Sequence, residues 1–212
     1  MISEKKNRLF NRQYAIVLVF VAVTLLASFI PYFKLDLLIS GKVQAVGSTF
    51  FQDVMQLVSS IGNKPIMIII VGVVSLFLYL NKLHREAVIS SLSAAGSALF
   101  GSLVKILVDR PRPTAELVNV STWWSDKSYP SNHVLVFTVY FGFLLYLLLK
   151  KPQHKIKGVV LSTIFIILIS SIGVSRIYLG VHWASDVLGG YLLGILWLIL
   201  TIKLYNSNHG KR

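Results

Sequence analysis

The sequence predicts an all-α integral membrane protein with six transmembrane helices in a bundle, and three observations predict it. Of its 212 residues, 55% are hydrophobic and only 14% charged, with a mean hydropathy of +0.70, a balance typical of membrane proteins rather than soluble globules. The apolar residues are concentrated in runs of the length that a hydrocarbon layer about 30 Å thick demands, roughly 17–25 residues per helical crossing. The charges lie between those runs and are divided unequally between the two sides.

The runs cover residues 14–30, 61–80, 86–108, 133–149, 158–174 and 186–205. The first follows the basic residues Lys5, Lys6, Arg8 and Arg12, so a signal peptide is one reading. Its long apolar part and the lack of a small-x-small cleavage site favour a retained helix. The third run is the least greasy, carrying Ser90, Ser91, Ser93, Gly96, Ser97, Gly101 and Ser102. Small residues allow close backbone approach, which predicts a helix buried inside the bundle rather than facing lipid.

With these crossings, one side collects Lys82, Arg85, Lys150, Lys151, Lys155, Lys157, Lys203, Lys211, Arg212 and the N-terminal cations against only Glu4 and Glu86. The other side is nearly balanced. Basic loops stay in the cytoplasm, so both termini are expected there. The net charge of +13 is then explained by topology and anionic headgroups, and no nucleic-acid partner is required. The absence of cysteine excludes disulfides and thiolate metal sites. No obligate protein partner is evident, and one membrane domain spanning 1–212 is expected.

Two outward connections are long. Residues 31–60 include GSTFFQDVMQLVSS, where Phe50, Phe51, Val54, Met55 and Val58 share a helical face. This outward amphipathic segment either lies on the membrane surface or plugs the bundle mouth. In the connection 109–132, Trp123 and Trp124 are expected to anchor at headgroup level. His84, His154 and His209 fall on the cytoplasmic side as solvated loop residues.

The polar residues at the outward ends form a chemically coherent set. Lys105, Arg112 and Arg176 suit a multiply charged oxyanion, arginine supplying a fork that matches phosphate oxygens. Ser131, Asn132 and His133 precede an apolar helix whose N–H groups and dipole could complete a phosphate cradle. His182 and Asp186 are four apart and share a face if the last helix begins near Val181. A carboxylate so placed holds an imidazole in one tautomer for nucleophilic or general-base work, and His133 can serve as proton donor. Taken singly, each has a plainer reading: Lys105 snorkelling to the surface, Arg112 pairing with Asp109 or Glu116, Arg176 paired with Asp186, His133 as a helix-start residue, His182 as an interfacial histidine. Arg110 reads as a headgroup contact, and Tyr178 and Trp183 as pocket-rim or interfacial aromatics.

Together these residues resemble a known family. KILVDRPRP from Lys105 fits K-x6-R-P, PSNH from Pro130 resembles P-S-G-H, and SRIYLGVHWASD from Ser175 fits S-R-x5-H-x3-D. These three linked motifs are the signature of the type 2 phosphatidic acid phosphatase (PAP2) family, whose core is shared with vanadium haloperoxidases, and the resemblance covers a catalytic core at 86–205. It implies that His182 attacks phosphorus to form a phosphohistidine, that Asp186 orients it, and that His133 protonates the departing alcohol and later activates water. Lys105, Arg112, Ser131, Arg176 and the backbone at Asn132 would hold the phosphoryl oxygens. No metal or other cofactor is implied, since the cationic cradle does the work Mg²⁺ does elsewhere. Asn132 stands where the motif has glycine; if that position needs a positive φ, asparagine is the next most tolerant residue, and a side-chain bond from Asn132 to substrate is the other reading.

The expected function is hydrolysis of a phospholipid or polyprenyl phosphate at the extracytoplasmic face of a bacterial cytoplasmic membrane. Phosphatidylglycerol phosphate leads, because the overall layout resembles that of family members acting on it; undecaprenyl pyrophosphate and phosphatidic acid are the alternatives. Two other classes stay open, a lipid phosphotransferase using the same phosphohistidine and a non-catalytic anion or lipid transporter.

Overall fold

The computed structural model describes residues 2–122, 125–150 and 155–207, with side chains from Gln13 onward except Lys155. Trp123, Trp124, Lys151, His154, His209, Lys211 and Arg212 lie outside the described residues. The described chain is all helix and loop: α1 (Ile2–Phe29), α2 (Lys34–Gln44), α3 (Thr49–Ile61), α4 (Lys64–Leu80), α5 (His84–Val108), α6 (Asn132–Lys150), α7 (Lys155–Tyr178) and α8 (Ala184–Ser207).

Four helices, α5 to α8, are each long and apolar enough to cross a membrane. Residues 13–29 of α1 bend by 95° into α2, and α3 bends by 64° into α4; counted as one span each, the two bent pairs bring the total to six. Proline sits at both corners, Pro31 just past the end of α1 and Pro65 in the first turn of α4, where its missing N–H costs nothing. Residues 31–60 thus form two short helices, and α3 covers the stretch expected to be amphipathic. Met55 and Val58 are buried, whereas Phe50 is 76% exposed, because α3 packs along α7 through one narrow edge.

The interior post is α6, buried along Val134–Leu144 except Val136 and packed by α5, α7 and α8. This corrects the expectation for the third run. In α5 the small residues Ala87, Ser90, Ala94, Ser97 and Gly101 form one buried stripe, while Leu92, Leu99, Leu103 and Leu107 face outward. A small-residue stripe brings one face close to its neighbour and leaves the opposite face free for lipid. The α6–α8 contact uses the same device: a Cβ on Gly190 would stand 2.8 Å from the Ser131 carbonyl oxygen, and one on Gly194 would stand 2.7 Å from Thr138.

The first half of α1 meets the far end of α8, where Lys203 Nζ donates to Gln13 Oε1 at 2.9 Å. Gln13 and the end of the last helix therefore share one side of the bundle. The end of α5, the start of α6, the end of α7 and the start of α8 converge at the opposite side.

Candidate active site

Helix ends build the pocket. α5 stops at Asp109, which takes a left-handed φ of 53° as its C-terminal cap, a conformation short polar side chains tolerate. The chain then folds back over the helix end, so Lys105 is buried rather than snorkelling. Its Nζ donates to the Lys127 carbonyl at 2.5 Å and lies 3.3 Å from Asp126 Oδ2. Arg112 pairs with Asp126 as well, Nη2 to Oδ1 at 2.5 Å; Asp109 instead pairs with Lys127. Burial works to raise the Asp126 carboxyl, but Lys105 and Arg112 outweigh it and hold the group below the usual carboxylate range.

His182 sits at the centre. The last helix begins at Ala184 rather than near Val181, so His182 lies in the turn before it, fixed by Val181 and His182 N–H groups donating to the Arg176 carbonyl at 3.2 and 3.3 Å. Its Nε2 is 3.3 Å from Arg112 Nη1. Its Nδ1 faces Asp186 Oδ2 at 3.5 Å and Ser128 Oγ at 3.4 Å. The ring is fully buried and surrounded by Arg112, Lys105, Arg176 and His133, so burial first and those charges second hold it well below the ordinary histidine value. A neutral imidazole with one nitrogen toward cations and the other toward a carboxylate has the arrangement of an oriented nucleophile.

Asp186, in the first turn of α8, accepts from the Trp183 N–H at 2.9 Å and from Ser128 Oγ through Oδ2. Its cation is Arg110, at 2.6 Å from Oδ1. Arg176 instead sends Nη1 to Ser59 Oγ at 2.5 Å, so an Arg176–Asp186 pair is not formed. Arg110 is not a headgroup contact: its side chain is wholly buried between Asp186 and Asp36. Trp183 is likewise buried, with its indole N–H donating to the Pro111 carbonyl at 3.2 Å. Tyr178 donates to the Val46 carbonyl at 3.2 Å and meets Phe51 edge-on.

At the mouth of α6, Ser131 Oγ is buried with no hydrogen-bond partner, and the first N–H groups of a helix have no intrahelical acceptor. His133 Nε2 is 3.4 Å from Asn63 Oδ1, and its ring lies so close to Gly62 that a Cβ there would stand 2.3 Å from Cδ2. Asn132 does not have a positive φ; the non-glycine positive φ values among the described residues are at Lys82 and Asp109. Its amide turns to α5, donating to Ser102 Oγ at 3.0 Å, and fits because residue 101 is glycine, whose Cβ would stand 2.1 Å from Asn132 Oδ1.

The expected residues Lys105, Arg112, Ser131, His133, Arg176, His182 and Asp186 therefore meet at one end of the bundle, with Asn132 alongside. Sequence reasoning missed Asp36, Ser59, Asn63, Asp126 and Ser128. Asp36 carried a signal, a carboxylate inside the apolar stretch LDLLIS; the hydroxyls carried none. Among the described residues no group of three or more His, Asp or Glu side chains could hold a metal ion.

Fold and site together define a class: a polytopic helical membrane protein with a buried histidine surrounded by cationic side chains at one end of the bundle. The chain belongs to the PAP2 superfamily, whose family model matches residues 86–209. It is 25% identical over 170 residues to phosphatidylglycerophosphatase B of Bacillus subtilis, covering 78% of this chain and 80% of that one. It is 26% identical over 162 residues to the undecaprenyl-diphosphatase of Sulfolobus acidocaldarius, covering 74% and 72%. The crystal structure of a transmembrane PAP2-type phosphatidylglycerolphosphate phosphatase from Bacillus subtilis superposes with a TM-score of 0.81 at 20% identity, covering 94% of this chain and 98% of that one.

Proposed function

We propose that this lipid phosphatase hydrolyses phosphatidylglycerol phosphate through a phosphohistidine on His182. The observation that carries the reading is the two-sided environment of that imidazole, Nε2 against Arg112 and Nδ1 against Asp186. Nε2 attacks phosphorus, a P–N bond forms and the P–O bond to the lipid alcohol breaks. His133 supplies the proton the departing oxygen takes, then removes a proton from the water that cleaves the P–N bond and frees phosphate. Lys105, Arg112 and Arg176, with Ser131 Oγ and the N–H groups at the start of α6, hold the three phosphoryl oxygens as charge grows on them. These cations supply the neutralisation that metal ions provide elsewhere, so the reaction is expected to proceed in chelator.

Similarity to the Bacillus phosphatidylglycerophosphatase over most of both chains supports this substrate first. An undecaprenyl pyrophosphate substrate is the second reading, supported by the similarity to an undecaprenyl-diphosphatase. The excess of basic residues at the end of the bundle away from the pocket, Lys82, Arg85, Lys150 and Lys203 among them, supports a pocket on the extracytoplasmic side of the cell membrane. Because the chain has no cysteine, single cysteines at Glu116 and Lys82 test this with an impermeant thiol reagent on intact cells: Glu116→Cys should label and Lys82→Cys should not.

The deciding assay is phosphate release by detergent-purified protein from phosphatidylglycerol phosphate, undecaprenyl pyrophosphate and phosphatidic acid, with chelator, for wild type and His182→Ala. Release from the first substrate that vanishes in His182→Ala supports the reading. Phosphoryl transfer to an added acceptor, with no phosphate released when the acceptor is left out, identifies a phosphotransferase, and anion flux into vesicles that survives His182→Ala identifies a transporter.

A further inference from the structure

A fully buried charge cluster lies behind His182. Arg110 stands between two carboxylates, Nη1 at 2.6 Å from Asp186 Oδ1 and Nη2 at 3.0 Å from Asp36 Oδ2. All three side chains are almost fully withdrawn from solvent. The remaining Arg110 donor, Nε, goes to the Pro31 carbonyl at 3.1 Å, and the guanidinium lies 5.1 Å over the Phe33 ring. Asp36 is bonded on all sides: Oδ1 accepts the Ser185 N–H at 2.8 Å, and Oδ2 accepts Ser185 Oγ at 2.8 Å and the Phe33 N–H at 3.0 Å. A residue of α2 thus caps the first turn of α8, the turn that carries Asp186.

Charge explains why a second carboxylate is there. If Arg110 faced Asp186 alone, the pair would be neutral, and Asp186 would offer little to an imidazole acquiring positive character as it bonds to phosphorus. One arginine shared between two carboxylates leaves the trio with a net charge of −1, and the Asp186 oxygen aimed at His182 Nδ1 remains an effective counter-ion. We propose that Asp36 is a positioning residue for the reaction, acting through Arg110 to fix Asp186 and to leave the trio the net negative charge that supports His182. The proposal rests on His182 being the nucleophile.

The charged groups around His182 come from every packed element: Lys105 on α5, Arg112 from the 109–131 connection with Asp126 paired to both, His133 on α6, Arg176 on α7, Asp186 on α8 and, behind it, Arg110 and Asp36. Only Asp36 is altered in the test. Asp36→Asn is nearly isosteric and removes one negative charge from the chain of contacts that runs through Arg110 and Asp186 to the ring, so the cationic form of His182 loses support. The expected result is a fall in kcat of about tenfold with KM changed less than twofold. The acid limb of kcat/KM should also move to lower pH by roughly half to one unit, because less negative charge makes the imidazole harder to protonate. Asp36→Glu, which restores the charge, should return the acid limb to its wild-type position.

A purely structural role would reduce the folded fraction without moving that limb, and an unmoved limb or a kcat within twofold of wild type overturns the proposal. Should Asp36→Asn not accumulate as folded protein, Asp36→Ser, which leaves space for water, is read in its place with the same expectations. Wild-type activity that depends on His182 but ignores Asp36 removes this inference alone; wild-type activity that ignores His182 removes the functional reading beneath it.

Discussion

The two ends of the bundle treat their ionisable groups differently. At the end away from the pocket, Arg85 lies 5.0 Å over the Tyr205 ring and bonds the Tyr205 carbonyl, while Lys150 lies 4.7 Å over the same ring and bonds Asn206. Among the described residues the one buried acid there, Glu86, accepts from the Tyr205 hydroxyl at 2.8 Å. These cations sit at the boundary, each spread over ring faces and carbonyls. At the pocket end, Lys105, Arg112 and Arg176 converge on one imidazole, and a buried Asp–Arg–Asp trio stands behind it. Pooled like charges and buried ions are costly in an apolar bundle. Their concentration at one end is what an anionic substrate and a charge-developing nucleophile require.

Breaking the trio should have the largest effect on stability. Arg110→Met leaves Asp36 and Asp186 buried without their cation, an expected loss of about 3–5 kcal/mol, against about 1 kcal/mol or less for Arg85→Met at the other end. Chemical unfolding in detergent measures both, and equal losses would erase the contrast. Gly62→Ala comes next: its methyl group meets the His133 ring, so activity should fall by roughly 10–100-fold through displacement of that imidazole, with the fold retained. Full activity would show that His133 does not need its observed position.

Asp126→Asn sharpens the comparison in the opposite direction. The Asp126 carboxylate is half exposed and occupies Lys105 and Arg112, the cations assigned to phosphate, so removing its charge should tighten binding of inorganic phosphate or orthovanadate by about two- to fivefold. Weaker binding would mean that Asp126 holds those cations in place rather than competing for them. The smallest effect is expected for Lys203→Ala, within about 0.5 kcal/mol of wild type and with unchanged activity.

Much of this was legible in the sequence. The apolar runs located α5 to α8 to within about four residues of their ends but did not reveal the bent pairs α1–α2 and α3–α4, and the spacing of Lys105, Arg112, His133, Arg176, His182 and Asp186 placed them at one end of the bundle. Tertiary pairing was not legible. Nothing local distinguishes Arg110, buried against two acids, from Arg112 two residues later, which faces the pocket. Asp36 is 74 residues from its partner Arg110, so neither helical periodicity nor motif spacing connects them. The interior helix was misassigned for a related reason: small residues reveal a close contact on one face of α5 and say nothing of its other face, whereas α6 is buried all round because three helices surround it.

The central claim is that His182 carries the phosphoryl group, and a rapid-quench experiment tests it most directly. An aryl phosphate with a leaving group that needs no proton is mixed with His133→Ala protein, so that formation of the intermediate proceeds and its hydrolysis is slowed. The account predicts acid-labile, alkali-stable phosphate bound to the protein at His182 and absent from a His133→Ala, His182→Ala double variant. Labelling that persists in the double variant, or product release with no bound phosphate at any time, would contradict it.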